Sequence, residues 1–211
     1  MHNAWKSAEP GVLFWDTILR ESVPDCYADL GYRTVSTNPC GEIPLCPYDS
    51  CRLLAINLYS YVVNPFKPDA YFDFDLFKKH VALAQRIMDD IIDLELEKIE
   101  RIMAKIDSDP ENEDVKHTES VLWQKIYKKS GQGRRTGVGI TAEGDMLAAL
   151  GLRYGTEEAT EFAEKVHQTV ALSAYRSSVE MAKERGAFEV YDSEREKNNP
   201  FINRLREADP E

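Results

Sequence analysis

The sequence lacks any long hydrophobic run. Nowhere do about 18 or more apolar residues follow one another, the length that a membrane-spanning helix requires. The beginning of the chain, MHNAWKSAEPGVLFW, also lacks the apolar core of a signal peptide. We therefore expect a cytoplasmic protein without a membrane partner.

Basic residues are few relative to acidic ones, with 26 Lys and Arg against 37 Asp and Glu and a formal net charge of -11. A protein that binds the phosphate backbone of nucleic acids needs a basic surface, so nucleic acid is not an expected partner. With 211 residues, of which 43% are hydrophobic, the chain can bury the core of one ordinary domain or of two small ones.

Cysteine is scarce, and the four present are Cys26, Cys40, Cys46 and Cys51. They form no CxxC pair and have no paired histidines nearby, which disfavours a zinc site. In a chain without a secretion signal, reduced thiols are expected rather than a disulfide framework. A reactive thiol is therefore one expectation for this chain.

Two further motifs have ordinary explanations. The stretch GQGRRTGVG, residues 131–139, follows a helix and leads into a strand, the reverse of the dinucleotide-binding order, so we interpret its glycines as turn residues. An acid-rich helix invites comparison with carboxylate metal sites, but a solvated acidic face is favoured. Its acids are Asp89, Asp90, Asp93, Glu95 and Glu97.

Hydrophobic periodicity predicts a helix-rich chain with two or three short strands. A loop spans residues 30–46, and a strand is expected over residues 51–63, followed by a mainly helical remainder. Thr156 is a suitable N-cap for a helix that ends before Gly186. The other predicted elements are helices over 9–22, 76–106 with one possible break, 121–131, 142–155 and 201–205, a charged connector over 107–120, and a short strand over 134–141.

The loop contains STNPCGEIPLC, in which an amide, a thiol and a carboxylate occupy alternate positions. In an extended backbone these three residues, Asn38, Cys40 and Glu42, project to one side. A thiol beside a hydrogen-bonding amide and a basic carboxylate suits redox or radical chemistry. This set of groups does not suit a cysteine hydrolase, because the loop contains no histidine that could activate the thiol. The alternative is a Pro/Gly turn with a buried cysteine.

Four motifs together resemble one known family. AWKSAEPGVLFWD, NPCGEIPL, DSCRLLAINL and GRRTGVGITAEGDMLAALGLRYG occur in this order between about residues 4 and 155. They resemble the catalytic chain of ribonucleotide reductase, and the NPCGE form with its AEPGVLFWD lead-in is most similar to the adenosylcobalamin-dependent class. Such enzymes make deoxyribonucleotides for DNA replication.

The resemblance implies a ten-stranded α/β barrel in which residues 36–46 form a finger loop. By matching position, Cys40 is the expected thiyl radical that removes the 3′ hydrogen of the ribonucleotide. Glu42 takes the 3′-hydroxyl proton, and Asn38 hydrogen-bonds the sugar hydroxyls. The implied cofactor is adenosylcobalamin, and the implied partners are a ribonucleoside di- or triphosphate and a thioredoxin-like reductant.

Family chains are several times longer than this one. We therefore expect residues 1–211 to be a partial catalytic barrel domain that lacks turnover and cofactor binding alone and needs the remaining barrel segments. Cys26, Cys46 and Cys51 match no reducing pair and are interpreted as structural. Homodimerisation or aggregation through the strand at residues 52–63 is expected, because isolated barrel strands have exposed edges. The alternative is a helix-rich binding or regulatory module without catalysis.

Overall fold

The computed structural model describes residues 1–50 and 52–210. They divide into two compact units, one formed by residues 1–50 with 192–210 and the other by residues 52–191. The helices are α1 His2–Ser7, α2 Trp15–Glu21, a 3-10 helix Val23–Leu30, a 3-10 turn Leu58–Tyr61, α3 Phe74–Ser108, α4 Glu113–Gly133, α5 Glu143–Ala149, α6 Glu157–Arg185, α7 Ser193–Glu196 and α8 Pro200–Ala208. The strands are β1 Ser36–Thr37, β2 Pro44–Leu45, β3 Leu54–Asn57, β4 Val62–Val63, β5 Tyr71–Phe72 and β6 Val138–Thr141.

The second unit is built around a parallel strand pair. Strand β3 pairs with β6 in the register Leu54↔Val138 to Asn57↔Thr141, and the chain between them runs through helices α3 and α4. Parallel strands joined through helices form the βαβ arrangement, which buries a sheet under helices. The prediction of a helix-rich α/β chain is confirmed.

Close backbone packing in this strand pair requires a glycine. The Leu54 amide donates to the Gly137 carbonyl at 3.0 Å, and a Cβ on Gly137 would lie 2.2 Å from the Arg52 carbonyl oxygen. Any side chain would force the two backbones apart. The interpretation of the 131–139 glycines as turn residues is therefore wrong for Gly137, and Gly131 and Gly133 lie within helix α4.

The core of the second unit lies between the strands and helices α3, α5 and α6. Helix α3 buries one face, and its N-terminal end packs against an aromatic cluster that includes Tyr61 and Phe72. The core residues are Ile56, Leu58, Tyr61, Phe72, Phe77, Val81, Ala84, Met146, Leu147, Ala159 and Val166.

Several predicted boundaries were wrong. The expected strand at 51–63 is interrupted by the 3-10 turn at Leu58–Tyr61, which buries both Leu58 and Tyr61. The helix expected from residue 9 begins only at Trp15. Helix α3 has no break, and α4 begins inside the predicted connector, where the Asn112 side chain accepts from the Asp114 amide.

The first unit joins the two ends of the chain. Tyr27 is 3% exposed, and its hydroxyl donates to Glu196 Oε1 at 2.6 Å and accepts from the Asp192 amide at 3.1 Å. Burial is the main cause of the raised pKa of Tyr27, so the hydroxyl stays protonated and remains a donor. These bonds fix the C-terminal segment to the 3-10 helix that leads into the β1–β2 hairpin.

Among the residues that the structure describes, no helix is both long enough and apolar enough to cross a membrane.

Candidate active-site hairpin

The predicted finger loop is a β-hairpin in the first unit. Strands β1 and β2 pair antiparallel, with Ser36 opposite Leu45 and Thr37 opposite Pro44. The Val35 amide extends this ladder by donating to the Leu45 carbonyl at 2.9 Å. Residues 38–43 therefore form a six-residue tip, and this tip contains all three candidate residues.

The first half of the tip is a hydrogen-bonded β-turn. The Gly41 amide donates to the Asn38 carbonyl at 3.0 Å, which closes the turn across Pro39 and Cys40. Asn, Pro and Gly are favoured at the first, second and fourth turn positions, because Asn bonds locally, Pro fixes φ and Gly tolerates unusual backbone angles. Gly41 has φ +84°, which side chains rarely adopt. The sequence N-P-C-G contained this turn signal.

Asn38 closes the tip from inside. Its backbone amide donates to the Ile43 carbonyl at 3.2 Å, and its Oδ1 accepts from the Ile43 amide at 3.0 Å. Thr37 Oγ1 donates to the Asn38 carbonyl at 3.0 Å. Asn38 is 7% exposed, so these bonds are largely shielded from water. One residue thus supplies the backbone and side-chain bonds that set the shape of the tip.

The extended backbone assumed for residues 38–42 is wrong. The turn replaces the alternation of side chains, and Asn38 is buried whereas Cys40 and Glu42 are both exposed. The three residues share one tip because the turn folds them together, not because they lie on one side of a strand. Their chemical roles stay predictions.

The N-terminal segment packs on the tip. A Cβ on Gly41 would lie 3.3 Å from Leu13 Cδ2, so the leucine side chain occupies the space beside the turn. Leu13 itself is 48% exposed and belongs to the AEPGVLFWD motif. This contact brings two of the four sequence motifs together at the thiol-bearing turn.

A carboxylate fixes the base of the hairpin. Asp25, in the 3-10 helix Val23–Leu30, accepts from the Thr34 amide through Oδ1 at 2.9 Å and from the Thr34 hydroxyl through Oδ2 at 2.5 Å. Charge-assisted bonds of this kind are stronger than neutral ones. Sequence reasoning missed the role of Asp25. Asp25 and Thr34 are nine residues apart, so no local sequence pattern indicates that they are hydrogen-bonded.

Replacing Asn38 should separate its structural role from any chemical one. Asn38→Ala removes the acceptor for the Ile43 amide, and we expect that amide to exchange with solvent about tenfold faster, since a buried hydrogen bond contributes about 1 to 1.5 kcal/mol. Asn38→Asp keeps an acceptor oxygen and should preserve protection. Hydrogen exchange measured by NMR on the chain provides the test. Equal protection in wild type and Asn38→Ala would contradict the role in shaping the tip.

The other described cysteines lie away from the tip. Burial raises the pKa of the Cys26 thiol, and Cys46 is 4% exposed with its Sγ donating to Asp49 Oδ2 at 3.6 Å. Both environments disfavour a reactive thiolate. Cys51 lies outside the described residues, so its predicted structural role stays a prediction.

The acid-rich face of α3 is solvated at Asp90, Asp93 and Glu97, as predicted, whereas Asp89 and Glu95 are partly buried. Asp89 accepts from Arg134 Nε at 2.8 Å and from Arg185 Nη1 at 3.0 Å, and Arg134 Nη1 also bonds Asp93 at 2.8 Å. These carboxylates raise the pKa of Arg134, which caps the end of α4. Arginines therefore occupy the positions that a cation would take.

Glu164 and His167 have the Glu-x-x-His spacing of carboxylate metal sites. His167 Nε2 lies 3.5 Å from Glu143 Oε2. Within residues 1–50 and 52–210, no group of three or more His, Cys, Asp or Glu side chains is placed to hold a metal ion.

A cavity of about 280 Å³ lies beside Arg134 and Arg185, with Met181 and Phe188 in its lining. Pockets for drug-sized ligands span about 300 to 1,000 Å³ and are mostly apolar. A corrinoid is larger than such ligands, and the polar wall of this cavity is already committed to ion pairs. The cavity does not fit adenosylcobalamin.

Comparisons with known proteins agree with the motif order. The family model described as ribonucleotide reductase, barrel domain, matches residues 1–208. A vitamin B12-dependent ribonucleoside-diphosphate reductase of Thermoplasma acidophilum is 36% identical over 195 residues, covering 92% of this chain and 21% of the relative. One from Mycobacterium tuberculosis (strain CDC 1551 / Oshkosh) is 31% identical over 193 residues, covering 91% of this chain and 23% of the relative. The chain thus spans between a fifth and a quarter of the length of these relatives.

Proposed function

Because the chain belongs to the ribonucleotide reductase barrel-domain family, we propose that residues 38–43 form the catalytic tip of a reductase that converts ribonucleotides to deoxyribonucleotides. The observation that supports this most is the hairpin itself, which places an exposed thiol at Cys40 and an exposed carboxylate at Glu42 on a tip shaped by Asn38. A rigid turn is a suitable way to present a reactive sulfur to a substrate.

In this proposal Cys40 acts as a thiyl radical. Its sulfur takes the 3′ hydrogen atom of the ribose, which forms an S–H bond and leaves the unpaired electron on the 3′ carbon. Glu42 accepts the proton of the 3′ hydroxyl, which increases the electron density on the 3′ oxygen beside the carbon radical. Both residues are exposed on the tip, where a substrate can reach them.

Asn38 is restricted to one kind of substrate contact. Its Oδ1 already accepts from the Ile43 amide. Among the described residues no acceptor is bonded to its Nδ2, so the amide nitrogen is the group left to donate to a sugar hydroxyl. Asn38 therefore positions the substrate as a donor and shapes the tip as an acceptor.

The relatives are named vitamin B12-dependent, and we propose the same cofactor class for the reductase in which this chain functions. In such a reductase adenosylcobalamin would supply radical-generating chemistry. The cavity beside Arg134 does not fit the corrinoid, so we propose that the corrinoid binds at another site of that reductase. A ribonucleoside di- or triphosphate is the proposed substrate, with a thioredoxin-like protein as cytoplasmic reductant.

Glu42→Gln tests the proposed base. The amide has nearly the shape of the carboxylate but cannot accept the proton, so turnover in a reductase that carries this segment should fall about 100-fold or more. Substrate affinity should change little, because the charge lost is not proposed to hold the phosphates. The measurement is the rate of deoxyribonucleotide formation together with the dissociation constant of the substrate.

The control is Glu207→Gln, which removes an exposed carboxylate of the same unit outside the tip. It should retain wild-type turnover. If Glu42→Gln is as active as Glu207→Gln, then Glu42 is not the base.

A further inference from the structure

The side chain of Leu13 lies against the turn that carries Cys40. A Cβ on Gly41 would lie 3.3 Å from Leu13 Cδ2. Within residues 1–50 and 52–210, and apart from Gly41 and its two chain neighbours, this methyl carbon is the one heavy atom within 4 Å of that position. Gly41 is half-buried, whereas Cys40 and Glu42 beside it are exposed. Leu13 thus lies on the side of the turn where a glycine leaves room.

The helix that follows Leu13 holds it in place. Leu13 directly precedes Phe14, whose carbonyl accepts from the Ile18 amide at 3.1 Å in the first turn of α2. This bond ties the backbone next to Leu13 to the helix. The position of Leu13 therefore follows the position of α2.

Helix α2 is fixed in turn by the C-terminal segment of the same unit. Asn199 Nδ2 donates to the carbonyls of Glu21 and Ser22, each at 3.4 Å. Arg204 Nη2 donates to Glu21 Oε2 at 2.8 Å. Asn199 is 5% exposed, so its bonds to the end of α2 are shielded from water. The contacts therefore run from α8 through α2 and Leu13 to the turn.

We propose that Leu13 is a positioning residue that holds the Cys40 turn at a fixed place relative to the substrate, an inference that rests on the proposed function. The turn is closed by the bond from the Gly41 amide to the Asn38 carbonyl. A single hydrogen bond adds little net stability, because water competes for both of its groups. Packing by a side chain from a separate, anchored segment restricts the motion that this bond alone permits. A misplacement of about 1 Å at a reacting group costs up to about 100-fold in rate, so a modest loss of rigidity lowers turnover strongly.

Backbone dynamics of the chain test the contact. Leu13 is half-exposed, so Leu13→Ala carries little risk to folding. We expect the order parameters of the Cys40 and Gly41 amides, measured by NMR relaxation, to fall in this variant from about 0.85 to below about 0.6. Leu13→Met keeps the side-chain volume and should keep values close to those of the wild type.

Leu30→Ala is the matched control for this measurement. Leu30 is a leucine of the same unit with nearly the same exposure, 47% against 48% for Leu13. Its replacement should leave the order parameters of the turn unchanged. Unchanged order parameters in Leu13→Ala, or an equal fall in Leu30→Ala, would overturn the proposal.

Turnover in a reductase that carries this segment tests the consequence. Leu13→Ala should lower the rate of deoxyribonucleotide formation about tenfold, because the thiol is held less firmly. The dissociation constant of the nucleotide should change less than about twofold, since the proposal gives Leu13 a contact with the turn and none with the substrate. Leu13→Met and Leu30→Ala should both retain most of the rate. Full turnover in Leu13→Ala, or a loss of affinity in place of turnover, would contradict the positioning role.

These measurements also separate the inference from the proposed function. If Cys40→Ser remains active, the chemical role of Cys40 fails, and the order parameters still decide whether Leu13 holds the turn. If Cys40→Ser is inactive while Leu13→Ala keeps a rigid turn and full turnover, only the positioning role of Leu13 fails.

Discussion

Cys40→Ser is expected to abolish deoxyribonucleotide formation in a reductase that carries this segment. Serine keeps the size and the hydrogen-bonding capacity of the side chain, but its O–H bond is too strong for the oxygen to take part in reversible hydrogen-atom transfer with a ribose carbon. Removal of a covalent or radical catalytic atom leaves only binding and positioning, so turnover should fall at least about a thousandfold. Substrate affinity should be preserved.

The structure offers a matched control for this substitution. Cys26→Ser also replaces a cysteine sulfur by a serine oxygen in the first unit. Cys26 is half-buried in the 3-10 helix, whereas Cys40 is exposed on the tip. We expect this variant to retain most of its turnover. The two measurements are product formation and equilibrium binding of the nucleotide. A Cys40→Ser enzyme that keeps a tenth or more of wild-type turnover would remove Cys40 from its proposed role.

The second large effect is expected on stability. Arg52 has a side chain that is only 5% exposed, and its guanidinium donates to Glu95, to Ser130 Oγ at 2.7 Å and to the Arg135 carbonyl at 3.0 Å. It joins the start of β3 to α3, to α4 and to the segment before β6. Arg52→Ala would leave a partly buried carboxylate and two further acceptors without their donor. We expect a loss of about 3 to 5 kcal/mol in the free energy of unfolding of the second unit.

Urea unfolding followed by Trp123 fluorescence measures this loss in the right unit. Trp5 and Trp15 belong to the first unit, so both are replaced by Phe in the background for all variants. Arg52→Lys keeps the positive charge, but an ammonium group cannot reproduce the planar arrangement of donors of the guanidinium. This variant should therefore recover only part of the stability. Arg86→Ala, which breaks an exposed pair with Glu184, should cost less than about 1 kcal/mol. Similar losses for Arg52→Ala and Arg86→Ala would show that the buried cluster contributes little.

The sequence by itself determined the long helix α6 and both of its ends. Helix α6 begins after Thr156, whose hydroxyl accepts from the Ala159 amide at 3.3 Å, and it ends before Gly186 as predicted. Capping residues and a 3.6-residue apolar period are local signals, so they can be recognised without any tertiary partner. The order of the four motifs was equally local, and the family that it indicated is confirmed.

Only the tertiary structure decided how the strands and the tip are arranged. Strand β3 pairs with β6, which lies about 80 residues further along the chain. Neither segment contains a local signal for this pairing or for its register. The apolar run at 52–63 predicts one strand, but a 3-10 turn interrupts it and buries both Leu58 and Tyr61. Through this turn the Tyr61 ring packs against Phe72 and Phe77. A short apolar run carries no period that distinguishes these outcomes, because burial on both sides removes the alternation.

The same division applies to the candidate site. The residue types of N-P-C-G-E identified the loop and its chemistry, but an extended backbone was assumed for Asn38, Cys40 and Glu42. The observed tip is a turn closed by the Asn38 side chain, with Leu13 packed beside Gly41 and Asp25 holding the hairpin base. Local sequence determined which groups are present, whereas their burial and exposure depend on contacts between segments that are distant along the chain.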